Sequence, residues 1–194
     1  TFDVFREDRS DIFQEKATIP SYTGVYGTKA YVNSAKVRNQ GVDASIDFGH
    51  QFNKEFSMTF KGTFTYAHNE IRKYEEAIRD YPNLSRVGYS VSQQWGYLAD
   101  YLFADDVEVA NNPAQMIGGT VGAGDIKYIN IPNRYGEYDQ VIDQNDRMPI
   151  GDPTTPEIVY GFGPSFHWRG FDFSFFFQGV AKTSLFLSDL APFG

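Results

Sequence analysis

The chain has 194 residues, no cysteine and a net charge of −8. The missing cysteines exclude a disulfide framework, a thiol nucleophile and a cysteine zinc site. The acidic balance excludes a nucleic-acid backbone as partner, because phosphate binding needs a basic surface. Aromatic residues make up 17% of the chain, and Phe, Tyr, Val, Ile and Thr outweigh Leu, which points to an all-β protein. No apolar run is long enough for a transmembrane helix. No signal peptide precedes Thr1, which falls within the first predicted strand, so the chain reads as processed or excised.

In chain order, TFDVFRED is the first predicted strand, and Glu7 to about Ala35 is a long connection with SYTGVYGTKAY as its turn-rich middle. GVDASIDFGHQF then alternates, with Val42, Ala44, Ile46, Phe48 and Phe52 against Asp43, Ser45, Asp47 and Gln51. NKE is a short polar turn. FSMTFKGTFTYA follows, with Phe56, Met58, Phe60, Phe64 and Tyr66 on one parity and Ser57, Thr59, Lys61, Thr63 and Thr65 on the other. Residues 69–156 form a second long connection, in which YEEAIRDY predicts a short helix and QWGYLADYLF a buried segment. The last predicted hairpin is EIVYGFGPSFHW, an RG turn and FDFSFFFQG, with Phe171, Phe173, Phe175 and Phe177 on one face. Pro164 marks an edge, a bulge or a ladder interruption.

The joins NKE and RG are very short, and the joins at the other ends of the strands are very long. Short turns on one rim and long loops on the other is the pattern of an outer-membrane β-barrel. Phe52, Phe56, Trp168 and Phe171 would then sit at one interface, with Tyr66 and Tyr160 toward the other. A soluble extracellular β-sandwich that binds glycans is the alternative, since alternation does not separate lipid-facing from core-facing residues.

Several segments, in order, resemble the barrel of SusC/RagA-type TonB-dependent transporters of the Bacteroidetes outer membrane. These are DVFREDRSDIF, NSAKVRNQGVDASIDF, FTYAHNEI, GDIKY, IDQNDR, IGDPTTPEIVYGFG and GFDFSFFFQG. Asp43 stands where the family has Glu in an N-x-G-[VI]-E pattern. The resemblance implies an antiparallel section of a large transmembrane β-barrel with long extracellular loops, covering residues 1–194. It implies nutrient uptake of oligosaccharides or peptides, a SusD-like surface lipoprotein as lid, a TonB complex acting through a plug, and outer-membrane lipid around the wall. The sequence carries neither a plug domain nor a TonB box, and about five membrane strands against the eight or more of a closed barrel. It also ends on SDLAPFG without a terminal aromatic strand, so it reads as a middle-to-late barrel section.

The acid-rich stretch 137–146 occupies the place where the family often has a calcium-type loop. Glu137, Asp139, Asp143 and Asp146 lack the alternate oxygen spacing and the turn glycine such a loop needs, so a structural loop with Asx-turns and an Arg147 ion pair is expected. Acids on a loop do not give the fixed separation of a glycosidase pair. His50, His68 and His167 share no ligand spacing. GGTVGAG lacks the Lys-Ser/Thr of a phosphate loop. No catalytic residue, metal or cofactor is therefore assigned, and the chain is expected not to be an enzyme. Trp95 and Tyr97 are the candidate ligand-stacking residues on the long loop.

Overall fold

A computed structural model of the chain describes residues 1–17 and 30–187. Most of SYTGVYGTKAY and all of SDLAPFG lie outside the described residues. Strand β1 spans Phe2–Glu15, β2 Tyr31–Gln51 and β3 Phe56–Lys73. A long connection then carries β4 (Gln94–Gly96), β5 (Ala99–Leu102), helix α1 (Asp106–Asn111), β6 (Ala114–Gln115), β7 (Ile126–Tyr128), β8 (Val141–Ile142) and β9 (Met148–Ile150). It ends at β10 (Ile158–Trp168), followed by β11 (Phe171–Ser174) and β12 (Phe177–Ala181).

The main sheet is an antiparallel meander in the order β1-β2-β3-β10-β11, with β12 also pairing β10. The partners Ser165↔Ser174 and Phe162↔Phe177 share one register, so β11 and β12 are a single strand interrupted opposite Pro164. Proline has no N–H to give to the ladder, and the interruption falls where the sequence places it. Arg169 and Gly170 both have positive φ, at 47° and 84°, which is the conformation of a two-residue hairpin turn matched to strand twist. In the other short turn the Asn53 carboxamide accepts from the Glu55 and Phe56 amides, both at 2.8 Å. The two turns are joined by Arg169 Nε donating to Glu55 at 2.6 Å.

Two predicted boundaries move. Asn69, Glu70 and Ile71 pair with Asn39, Arg38 and Val37, so the long connection covers 74–157 rather than 69–156. Likewise β1 continues to Glu15, and the first connection is 16–30 rather than Glu7 to Ala35. The reason is the same in both places. The strands carry charged side chains beyond their apolar stretch, and alternation of apolar residues does not mark their ends.

The connection 74–157 has its own small core. Ile142, Asp146 and Phe103 are buried within it, and three two-stranded pairings (β4-β9, β5-β7 and β6-β8) frame it. It is fastened to the top of β3: the Ile71 amide donates to the Tyr89 carbonyl at 2.9 Å and Gly88 donates back to Ile71 at 2.8 Å. Asn69, in the upper part of β3, accepts from the Val91 amide at 2.8 Å and the Ser90 hydroxyl at 3.0 Å.

YEEAIRDY does not form the predicted helix. Its polar groups are taken by tertiary partners: Glu76 accepts from Ser85 and the Arg86 amide, and the Tyr81 hydroxyl donates to Asp139. The helix that does form, α1, is capped by Asp105, whose carboxylate accepts from the Glu108 amide at 2.8 Å. QWGYLADYLF is buried only at Phe103; Trp95 and Tyr97 are half-buried and Ala99–Leu102 are exposed.

Candidate functional site

The sheet has two chemically different faces. Register puts Val4, Val42, Tyr66 and Ile158 in one row, Ile46, Gly62, Phe162 and Phe177 in another, and Phe56, Trp168 and Phe171 in a third near the short turns. These rows share one face. Its side chains are open: Ile46 is 59% exposed, Phe173 62% and Phe171 75%. Along its lower edge the rings form a chain, Phe52 on Phe56 at 5.1 Å, Phe56 on Phe166 at 6.5 Å and Phe166 on Phe173 at 6.5 Å.

The opposite face carries Asp43, Asp47, Thr59, Lys61, Thr63, Ser165, His167 and Asp172. His167 bonds Asp172 at 2.8 Å there. Two rings lie close over glycines on this face. A Cβ at Gly41 would lie 2.7 Å from the Phe5 ring and closer still to the Tyr66 carbonyl, and one at Gly161 would lie 2.7 Å from Phe176. This gives the glycine of the N-x-G-V-D stretch a physical role, the close approach of a ring and a neighbouring strand.

The apolar face ends at a sharp line. Above the Val4–Val42–Tyr66 row, the same face continues as Arg6, Gln40 and His68, then Asp8, Arg38 and Glu70. Arg38 pairs with Asp8 at 2.7 Å, and Arg72 with Glu70 at 2.8 Å. At the line itself Glu157 is nearly buried and meets both His68 and, at 3.4 Å, Lys182, tying β3, β10 and the chain after β12 together. Strand β10, with eleven residues, covers the apolar zone from Ile158 to Trp168. At about 3.3 Å per residue and a tilt of about 40°, the zone stands about 25 Å tall. Strands β1 to β3, of 14, 21 and 18 residues, run well beyond it.

All the long connections leave from that charged end, and both short turns lie at the other. A cavity of about 870 Å³ lies at the charged end, between the chain just beyond β1 and the connection 74–157. Ala17, Tyr74, Glu75, Glu76, Arg79, Tyr81, Arg86, Trp95, Arg134 and Arg147 are among its lining.

The two predicted stacking residues part company here. Trp95, on β4, lines the cavity, and its ring meets Tyr89 edge-on at 5.4 Å. Tyr97 lies outside the lining and packs on Tyr128 at 5.5 Å. The arginines of the cavity carried no motif in the sequence and come together only through the fold.

The acid-rich stretch is a set of hydrogen-bond acceptors turned inward on the loop's own backbone and side chains. Asp146 is 1% exposed and takes the Ile131 amide at 2.6 Å and the Asp143 amide at 2.7 Å. Burial pushes its carboxyl above the ordinary Asp range against the pull of those amides. Asp143 caps the turn through the Asn145 amide at 2.8 Å, and Glu137 accepts from Asn133 at 3.1 Å. Asp139 accepts from Tyr81 at 2.7 Å, which lifts the phenol to about 12. The expected Arg147 ion pair is replaced by a bond of 2.8 Å to the Trp95 carbonyl, because the nearby acids are already turned to backbone amides. Among the described residues no three acids or histidines are grouped to hold a metal.

No family model and no curated protein matches this chain. Solved structures do. The RagAB peptide importer in its open-open state superposes with a TM-score of 0.66 at 17% identity, covering 94% of this chain and 18% of that one. The closed-closed state gives 0.59 at 18% identity, with 94% and 19% covered. A further structure of the RagAB peptide transporter gives 0.60 at 18% identity, with 93% and 19% covered. The chain thus spans under a fifth of the RagAB chains it matches. The shared feature is the fold: an antiparallel wall of strands with almost no helix, matching a section of a β-barrel transporter.

Proposed function

We propose that this chain forms wall and surface loops of a TonB-dependent outer-membrane transporter for nutrients such as oligosaccharides or peptides. The observation that carries the reading is the exposed apolar face, about 25 Å tall, edged by rings at the short turns and by ion pairs at the long loops. Water does not tolerate so broad an exposed aromatic face, and lipid does. The charged strand ends and the loop cavity then stand on the cell exterior, and the polar face lines the lumen. Peptides are the favoured cargo, because the RagAB structures that share the fold are a peptide importer. A lid lipoprotein of the SusD kind and a TonB complex acting on a plug complete the assembly, and the wall itself does no chemistry.

The test is fractionation of native cells, with an antibody to this chain and gels of boiled and unboiled samples. A band in the outer membrane that migrates faster unboiled is the expected result. A band in the soluble fraction at 22.0 kDa, without a heat shift, overturns the reading in favour of the glycan-binding sandwich.

A further inference from the structure

The cavity at the charged end is electropositive in an acidic protein. Four arginines and two glutamates line it, while the chain as a whole carries −8. Two of the four arginines are committed within the loop: Arg134 to the Arg79 carbonyl and to Asp80 at 3.5 Å, and Arg147 to the Trp95 carbonyl. Arg79 and Arg86 are exposed, and among the described residues neither has a carboxylate partner. Glu76, the acid beside them, is already bonded to the Ser85 hydroxyl at 2.8 Å and the Arg86 amide at 2.6 Å.

The aromatic side chains of the cavity are engaged as well. The Arg86 guanidinium sits over Tyr74 at 5.8 Å, Trp95 meets Tyr89, and the Tyr81 hydroxyl is held by Asp139. The groups left to recognise a ligand are therefore guanidinium forks rather than stacking platforms. Such forks match carboxylates bidentately. The volume, about 870 Å³, falls in the range of about 300–1,000 Å³ that ligand pockets occupy.

We propose that this cavity binds acidic peptide, with Arg79 and Arg86 taking its carboxylates. The proposal rests on the reading that this end of the sheet is the outer mouth of a transporter. It narrows the cargo from peptides in general to those bearing Asp or Glu. It also replaces Trp95 and Tyr97 as the principal recognition groups.

The test uses the full chain purified in detergent from its native membrane. Two fluorescent peptides, acetylated and amidated at their ends, carry Gly-Asp-Glu-Asp-Gly or its amide twin Gly-Asn-Gln-Asn-Gly. The acidic peptide is expected to bind about tenfold tighter or more, and R79Q with R86Q to remove that preference while leaving the amide peptide unchanged. Both positions are exposed, so the double variant is expected to fold; an unchanged heat shift on a gel checks this. Equal binding of the two peptides, binding of neither, or an acidic preference that survives R79Q/R86Q overturns the proposal. So does a galacturonate oligosaccharide that displaces the acidic peptide with higher affinity. The heat shift of the same preparation separates the two readings. Shift without binding removes the acidic cavity alone, and arginine-dependent binding without shift removes the barrel alone.

Discussion

Ile142 and Phe162 are both large apolar side chains, and the protein treats them in opposite ways. Ile142, in the loop body 74–157, is fully buried, while Phe162, in the middle of the sheet, is 45% exposed among other exposed rings. The loop body solves its folding problem as a small water-soluble unit does, with an interior and with amides satisfied by carboxylates. The sheet satisfies its backbone by strand pairing and leaves its apolar side chains for something outside the chain to cover. The difference shows that apolar content alone does not say where a residue resides; what matters is whether the opposite side of it is protein.

The largest effect is expected from Asp146, the pivot of the loop body. D146A strands the Ile131 and Asp143 amides in a buried setting. Each unsatisfied donor costs about 1–3 kcal/mol, so the loop body should lose about 3–5 kcal/mol. Hydrogen exchange at Ile131 and Asp143 should rise sharply while the heat shift of the wall persists. If the wall is lost together with the loop, the two regions are one cooperative unit and the contrast drawn here fails. D146N, which keeps one acceptor, should fall between the two.

How far the sequence revealed these two regions follows from the same contrast. The hairpin of GVDASIDFGHQF and FSMTFKGTFTYA, the RG turn and the Pro164 interruption were legible, because period-two alternation and turn chemistry are local signals. The upper parts of β1 to β3 were not. There Arg6, Asp8, Arg38 and Glu70 sit on the face that is apolar below, so the hydropathy signal stops while the strands continue. Helix α1 has a local signal: Asp105 followed three residues later by Glu108 is the spacing of a capping box. YEEAIRDY had helical composition, but its Glu76 and Tyr81 were drawn to tertiary partners. The cavity was illegible for a different reason. Arg79 and Arg86 are near neighbours in sequence, but Arg134 and Arg147 lie far beyond them, and only the internal folding of the loop body, through Arg134 on the Arg79 carbonyl, Tyr81 on Asp139 and Asn83 on the Asn145 carbonyl, brings the two pairs together.

A somewhat smaller effect sharpens the comparison within the sheet. F162K places an ammonium at mid-height of the apolar face and should cost about 2–4 kcal/mol in urea unfolding from lipid vesicles. T63K, one row away on the polar face, should stay within about 0.5 kcal/mol. Equal costs at both positions would mean that both faces are packed against protein, as in a sandwich.

The smallest effect concerns a cluster on the surface of the loop body. Glu108 accepts from the Ala104 amide at 3.0 Å, the Tyr101 hydroxyl at 2.6 Å and Lys127 at 3.1 Å. These bonds, the amide foremost, hold its carboxyl down at about 2 from an ordinary value of 4.5. A carboxyl depressed on folding contributes stability that is complete above its unfolded value. That contribution declines as pH falls from about 4.5 and is gone once pH has passed through about 2. Lys127 works in the opposite direction: the Tyr101 and Glu108 bonds raise its value, so its contribution persists through neutral pH and is lost only in strong base. The packing of α1 on β5 and β7 should therefore be constant from pH 5 to pH 9 and loosen on acidification, read as the fluorescence of Tyr101 in a chain with its other loop tyrosines replaced by Phe. E108Q should flatten the acid limb. An acid transition of the same size in E108Q would assign it to other carboxylates and leave α1 indifferent to this cluster, a surface feature of the loop body on which its core does not depend.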